Sequence, residues 1–195
     1  MSKLVYGGSF NPPHLAHIEL PFLVIGEFNL DEVIYLPASG YHAFKKKMVD
    51  ELGIFHRNNL LEIALGNSNK KKYTIDYYEV NSSIENKKNT YTYDSLVELR
   101  KEYGELRLLM GMDNYNVIEK WYKWEKLLEE FNPVIMSRPG HTYDNKYDLD
   151  IYECDMDVSS SFIKNEISIG NIDNLRDYLD INVINYIKDN KLYGV

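Results

Sequence analysis

Residues 4–17 of this 195-residue chain read Leu-Val-Tyr-Gly-Gly-Ser-Phe-Asn-Pro-Pro-His-Leu-Ala-His, and no other stretch narrows the fold so far. Leu4 to Tyr6 is an apolar run that predicts a strand. Gly7 and Gly8 follow, where the backbone is expected to turn tightly and to admit a closely approaching ligand. Asn11-Pro12-Pro13 stops regular structure, and His14 and His17 open a helix. Strand, glycine turn and helix start together aim backbone N–H groups and the positive end of a helix dipole at an anion. The two imidazoles add donors at the same place.

Downstream, apolar spacing alternates between strand and helix periods. Strands are expected at Glu32–Leu36, Tyr73–Asp76, Leu106–Met110, Pro133–Ser137 and Ile151–Cys154. Between them lie helices from His17 to about Phe28, at Ile54–Leu65, through Leu96, Leu99 and Tyr103 with Thr92 or Asp94 as cap, and at Val117–Phe131. Pro21 clashes with the carbonyl of His17, which predicts a bend or restart of the first helix. Residues 84–89 read as a polar turn, and residues 40–47, with His42 and Lys45-Lys46-Lys47, as a loop. Ser159-Ser160-Ser161 caps a helix from about Phe162, and short helices near Leu175 and at Val183–Lys188 finish the chain.

Strands alternating with helices imply an α/β fold with a single doubly wound, mostly parallel sheet flanked by helices and right-handed crossovers. Ligands of such sheets sit beyond the carboxyl ends of the strands, near the reversal of strand order. The glycine turn, Asp113 and Arg138 all follow predicted strands and so gather on that edge. No repeat or linker divides the chain, so residues 1–195 are expected to form one domain, with a small helical C-terminal part from about 159.

Hydrophobic residues make up 44% of the chain, which excludes disorder. A net charge of −8 invites no nucleic acid, so an anionic ligand needs a local positive pocket. The single Cys154 forms no internal disulfide, which fits a reducing, cytoplasmic setting. No membrane-length apolar run occurs. His14 and His17 make a poor closed metal site, with no cysteine or acidic ligand nearby to complete it.

His14-Leu15-Ala16-His17 resembles the HxGH signature of a nucleotidyltransferase superfamily, with Ala16 in place of the usual glycine. The longer string Gly-Gly-Ser-Phe-Asn-Pro-Pro-His resembles the nicotinate (or nicotinamide) mononucleotide adenylyltransferases of that group. The segment Ser159-Ser160-Ser161-Phe162-Ile163-Lys164 is similar to that family's second nucleotide motif, SSSxIR, with lysine where arginine is usual. Lysine keeps the charge but loses the bidentate geometry. Two motifs about 140 residues apart and in the right order are far more specific than either alone.

The resemblance implies a Rossmann-like nucleotidyltransferase fold and adenylyl transfer from ATP to nicotinate mononucleotide. It implies catalytic roles for His17, His14 and Lys164. ATP contacts are implied at Gly7, Gly8, Ser9, Phe10, His14, His17, Arg138, Ser159, Ser160, Ser161 and Lys164. For the mononucleotide it implies His42, Tyr91, Thr92, Asp113 at the ribose, and Trp121 and Tyr122 at the pyridine ring. An indole face suits a cationic pyridinium. Mg²⁺ is expected to arrive with ATP, and the partners are ATP and a pyridine mononucleotide, with a homo-oligomer left open. Taken singly, several of these residues have plainer readings: Trp121 as a core anchor, Asp113 as a helix cap, Arg57 as either a phosphate ligand or a packing residue.

Rivals differ in acceptor or in class. Nicotinamide mononucleotide, phosphopantetheine or a cytidylyl acceptor would keep the chemistry. A nucleotide-binding sensor would bind ATP without releasing pyrophosphate. A dinucleotide-dependent oxidoreductase would need GxGxxG after the first strand, a spacing that Gly7-Gly8-Ser9-Phe10-Asn11-Pro12 does not supply.

Overall fold

Six strands run parallel in one sheet, and their residues alternate between two cores. β1 (Lys3–Gly8) pairs with β2 (Val33–Pro37) on one side and with β6 (Leu106–Gly111) on the other. Leu4, Tyr6, Val33 and Tyr35 pack into the core on one face, and Val5, Ile34, Leu36 and Leu108 into the core on the other. Strands buried on both faces are necessarily apolar throughout, as parallel sheets require. The computed structural model describes residues 2–39, 41–42, 47–48, 53–68, 72–86, 90–137, 144–156 and 158–195, with the backbone alone at 41–42, 47–48 and 86.

In chain order, β1 leads to α1 (Leu15–Glu27), β2, a two-residue hairpin β3 (Tyr41–His42) and β4 (Lys47–Met48), and α2 (Ile54–Gly66). Then come β5 (Tyr73–Ile75), α3 (Tyr78–Asn86), α4 (Thr92–Tyr103), β6, α5 (Met112–Tyr115) and α6 (Trp124–Phe131). The chain ends with β7 (Val134–Met136), β8 (Asp150–Tyr152), α7 (Ser160–Ser168), α8 (Ile181–Asp189) and a final 3-10 turn, Leu192–Gly194. Strand order is β5-β2-β1-β6-β7-β8, every pairing parallel. The order reverses between β1 and β6, so the crevice beyond Gly8 and Gly111 is the natural ligand site. α1, α2, α7 and α8 share one core, while α4 and α6 cover the other face.

The doubly wound sheet matches the sequence expectation, and four local readings need correction. α1 runs as one continuous helix through Pro21, with no restart there. Pro21 has no N–H to give the His17 carbonyl, and the buried Tyr35 hydroxyl donates to that oxygen instead, at 3.1 Å. Residues 78–86 form α3, whose last three residues, 84–86, were expected in a polar turn; Asp76 Oδ1 accepts from the Tyr78 amide at 2.7 Å and starts the helix, with Val80 buried beneath it. The expected helix 117–131 is instead a 3-10 turn at Ile118–Lys120, a break, and α6, because Lys123 adopts a left-handed φ of 53°. Tyr91 rather than Thr92 or Asp94 is the N-cap of α4, and it makes no side-chain cap bond.

Tyr35→Phe tests the proline substitute. It leaves the His17 carbonyl without that buried donor and is expected to cost about 1–3 kcal/mol in urea unfolding. An unchanged midpoint would mean the helix tolerates Pro21 without outside help.

Candidate active site

Phe10, not a glycine, makes the tight turn after β1. Gly7 and Gly8 are the extended end of the strand, whereas Phe10 has a φ of 45° and its ring is 1% exposed. That ring meets the His17 ring edge-on at 5.3 Å and 84°. It also lies where a Cβ on Gly8 would come within 3.1 Å, so Gly8 is needed for packing. Phe10 therefore supports His17 from below, and its ring is not open to ATP. A Cβ on Gly7 would meet only the Leu36 carbonyl at 3.9 Å, which leaves that backbone approachable.

The two histidines form a cap on α1. His14 is the N-cap, and its backbone N–H donates to His17 Nδ1 at 3.2 Å. The rings stack with centroids 3.6 Å apart. With Nδ1 accepting, the proton of neutral His17 sits on Nε2, across the ring from the cap. The Leu15 amide donates to the Tyr178 carbonyl at 2.8 Å. Helix-start amides expected to face an anion are thus partly engaged by the protein itself, and the imidazole edges are what the first turn offers a phosphate.

The second motif meets the first. Ser159 is the N-cap of α7, its Oγ accepting from the Phe162 amide at 3.1 Å. Ser160 Oγ donates to the Pro12 carbonyl at 3.0 Å, across 148 residues of chain. Lys164 lies one turn on from Ser160, on the helix face that Ser160 turns toward the Pro12 loop. The amides of Ser160 and Ser161 open α7 and have no intrahelical acceptor.

Tyr91 and Tyr122, two expected pyridine contacts from separate loops, lie against each other with centroids 4.5 Å apart and planes tilted by 32°, 43% and 44% exposed. Thr92 begins α4 beside them, and Lys123 Nζ sits 4.8 Å over the Tyr122 ring. Trp121 is partly buried against the α4–α6 core, which gives weight to its plainer reading as a core anchor. Asp113 is exposed in the first turn of α5, directly beyond β6 and therefore beside the β1 turn. Ser9 follows β1. Arg138, Lys45, Lys46 and the side chains of His42 and Lys47 lie outside the described residues.

Two residues tie the site's loops together. Arg57, 3% exposed, donates from Nη1 to the Ser9 carbonyl at 2.7 Å and from Nη2 to the Ala38 carbonyl at 2.9 Å. It straps the loops after β1 and β2 to each other, which decides between the two roles open in the sequence in favour of packing. Glu79 accepts from Ser95 Oγ at 2.9 Å and from the Ser39 backbone, joining the β2 loop to the first turn of α4. Burial pushes its carboxyl up to about 7, with both hydrogen bonds pulling the other way. Nothing in the sequence marked Glu79, because its partners come from elements remote in the chain.

The sequence profile of the cytidylyltransferase-like family matches residues 5–166. A protein of Acholeplasma laidlawii named "probable nicotinate-nucleotide adenylyltransferase" is 31% identical, the match covering 97% of this chain and 96% of that one. A Clostridium kluyveri protein of the same name is 28% identical with 99% of each covered. Among solved structures, Plasmodium falciparum nicotinic acid mononucleotide adenylyltransferase complexed with NaAD superposes with a TM-score of 0.75 at 23% identity, over 98% of this chain and 97% of that one. The same enzyme complexed with APC gives 0.74. At that identity the superpositions speak to the fold.

The Glu79 strap has a pH signature. The folded chain holds the Glu79 proton up to about pH 7, whereas the unfolded chain releases it near 4.5. The stabilising contribution is therefore complete below the unfolded value and is lost as pH rises through 7. Relative to Glu79→Gln, the native protein is expected to lose up to roughly 3 kcal/mol between pH 4.5 and 8. Urea unfolding of both proteins across that range checks this, and parallel stability curves would refute it.

Proposed function

The chain belongs to the cytidylyltransferase-like family and, within it, to the nicotinate-nucleotide adenylyltransferases, and from that premise we propose that it transfers an adenylyl group from ATP to nicotinate mononucleotide. The products are deamido-NAD and pyrophosphate, a step of NAD biosynthesis. The observation that carries this reading is the Ser160–Pro12 hydrogen bond, which draws the serine-led helix onto the loop that seats the two histidines.

A 5′-phosphate oxygen of the mononucleotide attacks the α-phosphorus of ATP. A P–O bond forms there as the bond to the β-phosphate oxygen breaks, and pyrophosphate leaves. The attacking monoester is already anionic near neutral pH, so no strong base is required. The protein's task is to bring two anions together and to disperse charge in the transition state. His17 donates from Nε2 to the reacting phosphates, with Nδ1 held by the His14 amide. His14 holds the cap, and its stacked ring faces the same phosphates. Ser160, Ser161 and Lys164 receive the far end of the triphosphate at the start of α7. Gly7, Gly8 and Ser9 present backbone to the nucleotide, and Arg138 adds charge beyond β7. On the acceptor side, Asp113 takes the ribose, and Tyr91, Thr92, Trp121, Tyr122 and His42 surround the pyridine ring.

Mg²⁺ enters with ATP as part of the substrate. Among the described residues, no group of three or more His, Cys, Asp or Glu is arranged to hold a metal. The enzyme works as one domain of residues 1–195. Among the described residues no helix is long and apolar enough to cross a membrane, and we assign the reaction to the cytoplasm.

His17→Ala is expected to raise the barrier by about 2.7–4 kcal/mol, a loss of roughly 10²–10³ in turnover. Pyrophosphate release is the readout, and near-native turnover would remove His17 from the mechanism. Parallel assays with nicotinate and nicotinamide mononucleotides are expected to favour the acid, and a strong preference for the amide would overturn the choice of acceptor.

A further inference from the structure

Residues 191–195 make contacts that no motif announces. α8 ends at Asp189, and the chain then turns back on itself through left-handed residues, Lys191 at φ 52° and Tyr193 at φ 61°. A left-handed tyrosine is unfavourable for an L-residue and persists only where its surroundings demand it. Two contacts hold it. Leu192 is buried in the main core, and the turn it belongs to packs against both α7 and α8. The Tyr193 hydroxyl donates to Asn11 Oδ1 at 2.6 Å, across 182 residues of chain.

Asn11 sits between left-handed Phe10, whose ring backs His17, and Pro12, whose carbonyl takes the Ser160 hydroxyl. Its side chain is therefore the handle of the loop that sets both histidines. The C-terminal segment reaches this loop region at three points: Ser160 at Pro12, the Tyr178 carbonyl at Leu15, and Tyr193 at Asn11.

We propose that Tyr193 is a positioning residue for the triphosphate cradle, holding the Asn11 loop in register with the serine-led helix through its hydroxyl. This rests on the adenylyltransferase reading for the identity of the ligand, though not for the geometry. Tyr193 touches no reacting atom in this proposal. Its effect passes through Asn11 to the histidines, so it bears on the ATP side and leaves the pyridine side alone.

The test is titration calorimetry with a non-hydrolysable ATP analogue and, separately, with nicotinate mononucleotide. The proteins are native, Tyr193→Phe, Asn11→Ala and the double variant. Each single change is expected to weaken the analogue roughly three- to tenfold, the worth of one hydrogen bond. The double variant should be no weaker than the weaker single one, because both remove the same contact. Mononucleotide affinity should not move. Analogue affinity unchanged in Tyr193→Phe, equal weakening of both ligands, or additive losses in the double variant would each overturn the proposal. Should Tyr193→Phe unfold too easily, Asn11→Ala carries the same comparison from the other end of the bond. Pyrophosphate release from the native protein separates the two ideas. Tyrosine-dependent analogue binding with no release from any acceptor would sink adenylyl transfer and uphold the cradle.

Discussion

One constraint shapes the carboxyl edge of this sheet. Its first helix is capped by a histidine and carries a proline about two turns later, so the backbone groups of those turns cannot all be satisfied within the helix. The His17 carbonyl has lost its donor to Pro21, and Tyr35, from the neighbouring strand, supplies one. The Leu15 amide finds the Tyr178 carbonyl, from a segment far down the chain. The His14 amide finds His17 Nδ1. Buried backbone groups without partners are costly, and each solution fixes something chemical. Tyr35 and Phe10 set the floor under His17, and the cap decides which imidazole nitrogen keeps its proton.

This answers how a chain of net charge −8 can offer a place to a triphosphate. No surface field is needed. Ser160 and Tyr193 both bond to the short Asn11-Pro12 loop, and the one deeply buried guanidinium described there, Arg57, is spent on the carbonyls of Ser9 and Ala38. A planar fork with five donors suits that task, since it can strap two loops at once where lysine could hold one. Positive charge near the site thus acts partly as scaffold.

The sheet and its edge were legible in the sequence because they follow from local pattern. Val5, Ile34 and Leu108 alternate with Leu4, Tyr35 and Leu109 at strand period, and the two motifs flank the switch in strand order. What escaped was set by partners remote in sequence. Pro21 looked like a break because Tyr35 cannot be seen from α1. Residues 84–89 looked like a turn because Glu85, Asn86, Lys87, Lys88 and Asn89 are polar throughout, whereas the helix that reaches Asn86 is started by the Asp76 cap and held by the packing of Val80. The glycines looked like the turn, but Phe10 takes the left-handed conformation because its ring is buried among Tyr6, His17 and Tyr35. Arg57 had two readings that composition could not separate.

The two halves of the proposed site are held by different physics, and that has a consequence for selectivity. The phosphate half is built from directional hydrogen bonds that span most of the chain, Ser160 to Pro12 and Tyr193 to Asn11, together with a histidine pair locked by its own cap. Such contacts admit one arrangement and fail steeply when displaced. The proposed ring half is walled by Tyr91 and Tyr122, exposed and tilted against each other, beside a left-handed Lys123 that rests on Tyr122 and Tyr93 by cation–π contact. Stacking is broad in angle and offset and permits many poses. On the proposed assignment, a rigid phosphate half beside an adaptable ring half makes the geometry of transfer common to acceptors that carry a 5′-phosphate. Discrimination between pyridine nucleotides then falls to the few polar groups around the aromatic pair.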